Sequence, residues 1–177
     1  MIKLSNFNSA WPDEFKHESQ RIQDSLGETI ANIYHIGSTS IPDIKAKPII
    51  DILLEVSDLE PLDSQKTAME TLGYEAMGEF GIPERRYYRL NNAHGIRKFQ
   101  VHAFELGSHG AMRHLAYRDY LLAHPHIAQS YSKLKERLVA QHPNDMDAYI
   151  DGKDSFIKDH ERKALEWIQE IKADYED

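Results

Sequence analysis

The residues best suited to chemistry lie in one segment, HIGSTSIPDIKAKPIIDILLEV, which covers residues 35–56. Gly37 lets the backbone approach a ligand closely, and Ser38 adds a hydroxyl beside exposed backbone amides. Such a turn is suited to holding phosphate oxygens. Asp51 follows inside an apolar run, where a lone carboxylate is unfavourable unless it is paired, hydrogen-bonded or bound to a metal. The segment therefore predicts a phosphate-binding turn next to a strand that carries one acid.

Strands and helices are mixed in the first 105 residues of the chain, and the residues from Ser108 onward are predicted to be helical. Residues 29–36 are predicted as a strand that stops at Gly37, and the run IIDILLEV is typical of a central strand covered on both faces. Periodicity and capping residues predict the remaining elements in this order: a helix over 13–26, a helix over 64–72, strands over 86–90 and 97–105, and helices from Ser108 onward. The order indicates an α+β protein with a helical C-terminal layer.

The Gly-Ser turn and the acid on the following strand resemble the opening motif of the nucleotidyltransferase-fold superfamily. More closely, the chain resembles the GrpB family over nearly its whole length. The blocks that carry this resemblance are WPDEF, HIGSTSIP, AKPIIDI, LGYE, GIPERRYYR, RHLAYRDYL, YSKLKERLV and AYIDGKDSFI. The resemblance implies a nucleotidyltransferase-like mixed sheet core with a helical C-terminal layer, in a single domain over residues 1–177. Its sheet core is expected over about 1–106 and its helical layer over about 107–177.

The resemblance also implies a chemistry. Active members of the superfamily move a nucleoside monophosphate from a triphosphate to an acceptor, with two or three carboxylates placing divalent metal. Here the second acid of that pattern is replaced by Leu53. Glu55 shares the strand face of Asp51 but lies ~13 Å along the strand, too far to substitute. The GrpB pattern favours His102 on a neighbouring strand. Asp51 and His102 are thus the predicted catalytic residues and the predicted ligands of Mg²⁺ or Mn²⁺, with His102 alternatively a proton acceptor.

Two cations are predicted to bind the phosphates. Lys47 precedes the acidic strand, and Arg86 lies at the edge of the next predicted strand, where arginine offers bidentate phosphate contacts. The substrate-binding set is therefore Gly37, Ser38, Lys47 and Arg86. Each of these residues also has a plain structural interpretation, such as a strand-ending turn or a solvated surface cation.

Two further pairs occur in the helical half. Arg118 and Asp119 are expected to brace neighbouring elements, because no spacing places them at the Gly-Ser turn. Tyr149 and Lys153 are one helical turn apart and either close over the site or simply pack.

Composition excludes several classes of protein. The formal net charge of −8 disfavours long nucleic acid as a partner. The chain has no cysteine, which excludes disulfide bonds, thiol catalysis and zinc sites built from cysteine. No apolar run approaches the roughly 20 residues that span a bilayer, and the N-terminus lacks a signal-peptide pattern, so no membrane association and a cytoplasmic location are expected. Zincin, Walker and dinucleotide-binding motifs are also missing from the sequence.

Three functions stay open from the sequence. The first is an enzyme that transfers part of a small nucleotide to an unknown acceptor. The second is a nucleotide-binding or regulatory protein without transfer chemistry, which Leu53 favours; GrpB-like domains also occur fused to dephospho-coenzyme A kinase. The third is a protein-interaction scaffold that works through its helical layer. No particular protein partner is indicated.

Overall fold

The computed structural model describes residues 1–176, in which five strands form one mixed sheet. The strands are β1 (Ile30–Ile36), β2 (Ile50–Val56), β3 (Glu75–Ala76), β4 (Arg86–Asn91) and β5 (Arg97–Glu105). Their order across the sheet is β1-β2-β5-β4-β3. The β2–β5 pair is parallel and the other neighbours are antiparallel. The predicted strand run IIDILLEV thus lies inside the sheet, between β1 and β5.

Strand β2 is covered on both faces, as its continuous apolar sequence predicts. Because side chains alternate along a strand, Ile52 and Leu54 point to one face and Asp51 and Leu53 to the other. The first face belongs to the main hydrophobic core, together with residues of the first half of the chain such as Trp11. On the second face, buried Leu53 packs in a cluster with Ile36, Phe104 and Ala111. Asp51 therefore projects toward the helical half of the protein.

Six α-helices and two short 3-10 helices, Gly27–Thr29 and Ser38–Ser40, accompany the sheet within residues 1–176. The α-helices are α1 (Ala10–Leu26), α2 (Leu59–Ser64), α3 (Lys66–Thr71), α4 (His109–Ala123), α5 (Pro125–Gln141) and α6 (Met146–Glu176). Helix α4 contacts β1, β2 and β5, and α6 packs against both α4 and α5. The last three helices form the layer that faces Asp51. Within residues 1–176, no helix combines the length and the apolar content needed to cross a bilayer.

The predicted α+β class and the helical C-terminal layer are confirmed, and so are the helices predicted from Ser108 onward. The helix predicted over 64–72 is present as α3, but its predicted start at Ser64 is wrong, because Ser64 ends the preceding short helix. That helix, α2, is capped by Asp58, whose Oδ1 accepts a hydrogen bond from the Glu60 N–H. Strand β3 has two residues, too few for any periodic pattern to predict it.

Candidate active site

The centre of the site is the contact between the Gly37 turn and Asp51. Ile36, the last residue of β1, pairs with Asp51 on β2, so the turn begins directly beside the carboxylate. Gly37 has φ 73°, a conformation that favours glycine. A Cβ atom at this position would lie 2.6 Å from Asp51 Oδ2. Residue 37 must therefore be glycine both for its backbone angle and for the space that Asp51 occupies.

Of the three hydroxyl residues in the turn, one faces the site. Ser40 Oγ donates to the Gly37 carbonyl at 2.6 Å and closes the turn. Thr39 is buried, and its Oγ1 lies 2.9 Å from His35 Nε2. Burial lowers the pKa of His35 to about 4, so this imidazole is neutral. Ser38 is the remaining hydroxyl, and it lines both cavities described below.

Asp51 is held from the adjacent strand by His102. The His102 Nε2 atom lies 3.0 Å from Asp51 Oδ1, and the two side chains are 13% and 27% exposed. Arg85 NH1 lies 3.4 Å from His102 Nδ1, and a guanidinium can only donate. Nδ1 is therefore the acceptor and Nε2 carries the proton that His102 donates to Asp51. With both ring nitrogens engaged, His102 is placed to orient the carboxylate.

A cavity of about 190 Å³ opens on one side of Asp51, and we call it the lysine pocket. It is lined by Gly37, Ser38, Lys47, Ile49, Asp51, Gln100, Tyr131, Lys135, Tyr149 and Lys153. Lys135 is 2% exposed and its Nζ donates to Ser38 Oγ at 3.0 Å and to the Lys45 carbonyl. The Lys47 and Lys153 ammonium groups lie 5.4 Å and 4.4 Å from the ring centre of Tyr149.

Burial lowers the pKa of all three lysines in this pocket, and neighbouring ammonium groups add to the shift of Lys135 and Lys153. Burial and, to a smaller extent, the charges of Lys153 and Lys47 together lower the pKa of Lys135 to about 7. Burial likewise lowers the pKa of Lys153 to about 8, with a smaller contribution from Lys47. The pKa of Lys47 is lowered by burial and partly restored by Asp51. An anion in this pocket would reverse these shifts.

A second cavity of about 210 Å³ opens on the other side of Asp51, and we call it the apolar pocket. It shares Gly37, Ser38, Asp51 and Tyr131 with the lysine pocket. Its other lining residues are Ile36, Ile41, His102, His114, Tyr117, Arg118, Leu121, Ile157 and Glu161. The two cavities therefore meet at the carboxylate and the serine hydroxyl.

The structure brings five of the six predicted site residues together: Gly37, Ser38, Lys47, Asp51 and His102. Arg86 is the exception, and the prediction for it needs correction. Residue 87 pairs with His102 in the sheet, so Arg86 points to the opposite face. There it makes a bidentate ion pair with Asp63, at 2.7 Å and 3.0 Å.

The helical layer supplies residues that the sequence analysis missed or left open. Tyr149 and Lys153 line the lysine pocket, one of the two alternatives given for them. Lys135 was missed, although a lysine one turn after Tyr131 on an apolar helix face was a usable signal. Arg118 braces neighbouring elements as expected, because it donates from α4 to the His35 carbonyl on β1 at 3.3 Å, but it also lines the apolar pocket, which its spacing did not indicate.

The number of carboxylates at the site limits how many metal ions it can bind. Within residues 1–176, no three His, Asp or Glu side chains gather as they would around an ion. Leu53 is fully buried, and Glu55 is engaged by Asn32 Nδ2 and the Gly107 N–H, both at 3.3 Å. Mg²⁺ can bind through one carboxylate plus substrate phosphates. The residues present therefore fit a single ion shared by Asp51 and a phosphate ligand, and not the two-metal arrangement.

Comparisons with known proteins give a consistent result. The family model described as GrpB protein matches residues 1–163. The chain is 43% identical over 166 residues to UPF0157 protein YqkA of Bacillus subtilis, covering 94% of this chain and 48% of that protein. It thus spans about half the length of this relative.

Solved structures extend the comparison to the fold. The crystal structure of conserved protein GrpB from Enterococcus faecalis is 39% identical, has a TM-score of 0.89, and is matched over 94% of this chain and 99% of that one. Terminal uridylyl transferase 4 from Trypanosoma brucei with bound dUTP has a TM-score of 0.52 at 10% identity, over 77% of this chain and 46% of that one. The latter similarity shows a nucleotidyltransferase-like fold, as predicted.

The close packing of Gly37 on Asp51 predicts a specific cost for a methyl group. Gly37→Ala should lower the free energy of unfolding by about 1–2 kcal/mol from the backbone angle and by about 1–3 kcal/mol more from the contact with Asp51. Gly95→Ala is the matched control, because Gly95 has φ 74° with nothing within 4 Å of its Cβ position. Urea denaturation measures both. Equal losses in the two variants would contradict the contact.

Because Leu53 is buried, we predict that an aspartate at this position, where the superfamily pattern has its second acid, destabilises the protein and creates no metal site. Leu53→Asp places a carboxylate in an apolar cluster beneath α4, so we expect a loss of more than about 4 kcal/mol in unfolding free energy. Leu53→Met keeps the volume and should lose less than about 1.5 kcal/mol. Urea denaturation compares the two. The interpretation fails if Leu53→Asp is as stable as the parent and gains Mg²⁺ affinity by titration calorimetry.

Proposed function

The chain belongs to the GrpB protein family, and from that premise we propose that it binds a nucleoside triphosphate and transfers its nucleotidyl group to a small acceptor. The observation that carries the proposal is the lysine pocket. Three lysines and the Ser38 hydroxyl surround a cavity that ends at Asp51. A triphosphate is an anion of the size and charge that this arrangement suits, and Asp51 is where its α-phosphate would lie.

The charge balance of the pocket supports an anionic ligand. Burying a cation without a counterion is unfavourable. In the part of the chain that the structure describes, the lysines that form ion pairs are Lys45, Lys66, Lys158 and Lys163. None of them is in the pocket. Lys47, Lys135 and Lys153 thus bring positive charge together in a protein whose net charge is −8, which is favourable once phosphates supply the opposite charge.

Each residue then has a task in the proposed reaction. The lysines bind the β- and γ-phosphates and stabilise the charge of the departing pyrophosphate. Ser38 and the turn amides position the phosphate chain next to Asp51. The His102 N–H and the Gly37 backbone keep the Asp51 carboxylate in one orientation. A Mg²⁺ or Mn²⁺ ion held by Asp51 and the phosphates would neutralise charge at the reacting group.

A second candidate is nucleotide binding without transfer, for example in a regulatory protein. The specific observation in its favour is that one acid is at the site while the position of the second is a buried leucine. Both candidates require the lysine pocket to bind nucleotide. They differ only in whether a covalent product forms.

Nucleotide binding is tested by replacing Lys153, one of the three lysines that line the pocket. Lys153→Met should weaken binding of ATP, CTP, GTP or UTP by about 10–100-fold, because a charge-assisted contact is lost. Lys172→Met is the matched control, since Lys172 is exposed on the same helix. Titration calorimetry with and without Mg²⁺ or Mn²⁺ measures affinity. Equal binding by the two variants, or no binding to the parent, would remove the proposal.

Transfer is then separated from binding by one further variant. The protein is incubated with an α-labelled triphosphate and a small-molecule extract, and labelled products are followed. Asp51→Asn should abolish product formation if the chain is a transferase. A parent protein that binds triphosphate but yields no labelled product supports the binding candidate, and full activity in Asp51→Asn contradicts the role of Asp51.

The lowered lysine pKa values predict that binding weakens at alkaline pH. The free protein loses protons from Lys135 and Lys153 with pKa values of about 7 and 8, whereas bound phosphates favour the charged forms, so binding takes up protons. Phosphate ionisation is complete above pH 7.5 because its second pKa is about 6. Between pH 8 and 9.5 we expect affinity to fall by up to about tenfold per pH unit for each proton taken up.

The control variant for this pH dependence keeps a positive charge at residue 153. In Lys153→Arg the guanidinium stays protonated throughout the range, so the slope of log affinity against pH should decrease by about one. Titration calorimetry in two buffers of different ionisation enthalpy counts the protons directly. A flat affinity profile for the parent between pH 8 and 9.5 would show that these lysines do not meet the phosphates.

A further inference from the structure

We propose that the apolar pocket is the acceptor site, and that it takes a compact, single-ring molecule bearing a hydroxyl group. This inference rests on the proposed function, because it assigns the second substrate of the same reaction. It depends on four features: the position of the pocket relative to the lysines, the polar atoms in its wall, its size, and its charge.

The two pockets follow one another along the same elements, with Asp51 between them. On helix α6, Tyr149 and Lys153 line the lysine pocket, and the next two turns contribute Ile157 and Glu161 to the apolar pocket. The shift occurs in steps of four residues, which is about one helical turn. Strand β5 shows the same succession, with Gln100 in the first pocket and His102 in the second. The pockets thus meet at the acid and extend from it in different directions along α6.

This layout matches the geometry of phosphoryl-group displacement. The attacking and the leaving oxygens lie roughly in line on opposite sides of the reacting phosphorus. If the β- and γ-phosphates leave into the lysine pocket and the α-phosphate lies at Asp51, the attacking oxygen must enter from the other side. The cavity on that side is the apolar pocket.

The proposed reaction requires no reagent other than the triphosphate and the hydroxyl-bearing acceptor. The hydroxyl oxygen of the acceptor forms a bond to the α-phosphorus, and the bond from that phosphorus to the bridging oxygen of the β-phosphate breaks. Pyrophosphate leaves with its charge against the lysines. The hydroxyl proton passes to water.

The wall of the pocket indicates the chemistry of its ligand. Ile41, Leu121 and Ile157 give it an apolar surface. His114 and Tyr117 also line the pocket, and their Nε2 and Oη atoms are buried without a hydrogen-bond partner within residues 1–176. A buried polar atom without a partner is unfavourable. A mostly apolar ligand with one or two hydrogen-bonding groups would match the surface, and it would pair with these two atoms if their side chains turned toward it.

Size and charge restrict the ligand to a small neutral or weakly polar molecule. An apolar cavity of about 150 Å³ can hold one benzene ring, so about 210 Å³ holds one ring with a short substituent. The wall also holds one acid and one cation, Glu161 and Arg118, which are paired with Arg113 at 3.0 Å and with Asp119 at 2.8 Å, respectively. A nucleic-acid end would instead need a basic, open groove.

The test uses benzyl alcohol as the probe, because it is a single ring with one hydroxyl. Ligand-observed NMR should detect its binding to the full chain in the presence of saturating ATP. Ile157→Trp fills the cavity and should abolish the signal while ATP affinity stays within about twofold. Ile150→Trp is the matched control, since Ile150 is 50% exposed on the same helix, and it should bind the probe like the parent.

The outcomes separate this inference from the proposed function. Lys153→Met should bind ATP about 10–100-fold more weakly but should bind benzyl alcohol like the parent when both are measured without ATP, which supports the acceptor pocket independently of nucleotide affinity. Displacement of the probe by ATP but not by pyrophosphate would mean that the pocket takes the nucleobase, and the inference would be overturned. No probe binding to the parent, or undiminished binding to Ile157→Trp, would overturn it too, while ATP binding would leave the proposed function in place.

Discussion

The site depends on one close contact, that of the Gly37 backbone with the Asp51 carboxylate. A side chain at position 37 would occupy the space of Asp51 Oδ2, and its backbone angle would be strained. The contact exists because β1 and β2 are antiparallel and Ile36 pairs with Asp51. It places the backbone of the turn, a serine hydroxyl and an acid within one small region. Both pockets open from that region.

The lysines of the lysine pocket lower the stability of the protein while no anion is bound, because they are partly or fully buried as cations. Lys135 is 2% exposed, and burial and the neighbouring cations lower its pKa to about 7. Its hydrogen bonds to Ser38 and to the Lys45 carbonyl compensate for part of the lost hydration. A site that holds such groups in place before a ligand arrives needs little reorganisation when an anion binds. This preorganisation is the physical basis for placing phosphates in the lysine pocket.

The packing of the helical layer also limits the metal chemistry. Helix α4 covers β2 closely enough to bury Leu53 completely, so an acid two residues after Asp51 would lie under that helix. Asp51 alone stays partly exposed, with His102 fixed between it and Arg85. The GrpB site thus has one carboxylate oriented by hydrogen bonds where a two-metal enzyme needs at least two. A reaction at this site has to rely more on the lysines and on positioning.

The sequence by itself determined the strand run around Asp51, the turn at Gly37 and the helix that begins after Ser108, because local periodicity, glycine and capping residues encode these features. It also indicated Lys47 and His102, which lie next to the motif or on an adjacent strand. Only the tertiary structure decided that Lys135 and Arg118 reach the turn, because they lie on helices whose docking depends on long-range packing. Strand register likewise decided against Arg86: a shift of one residue in a strand reverses the face, and no local pattern reports which face meets the helices.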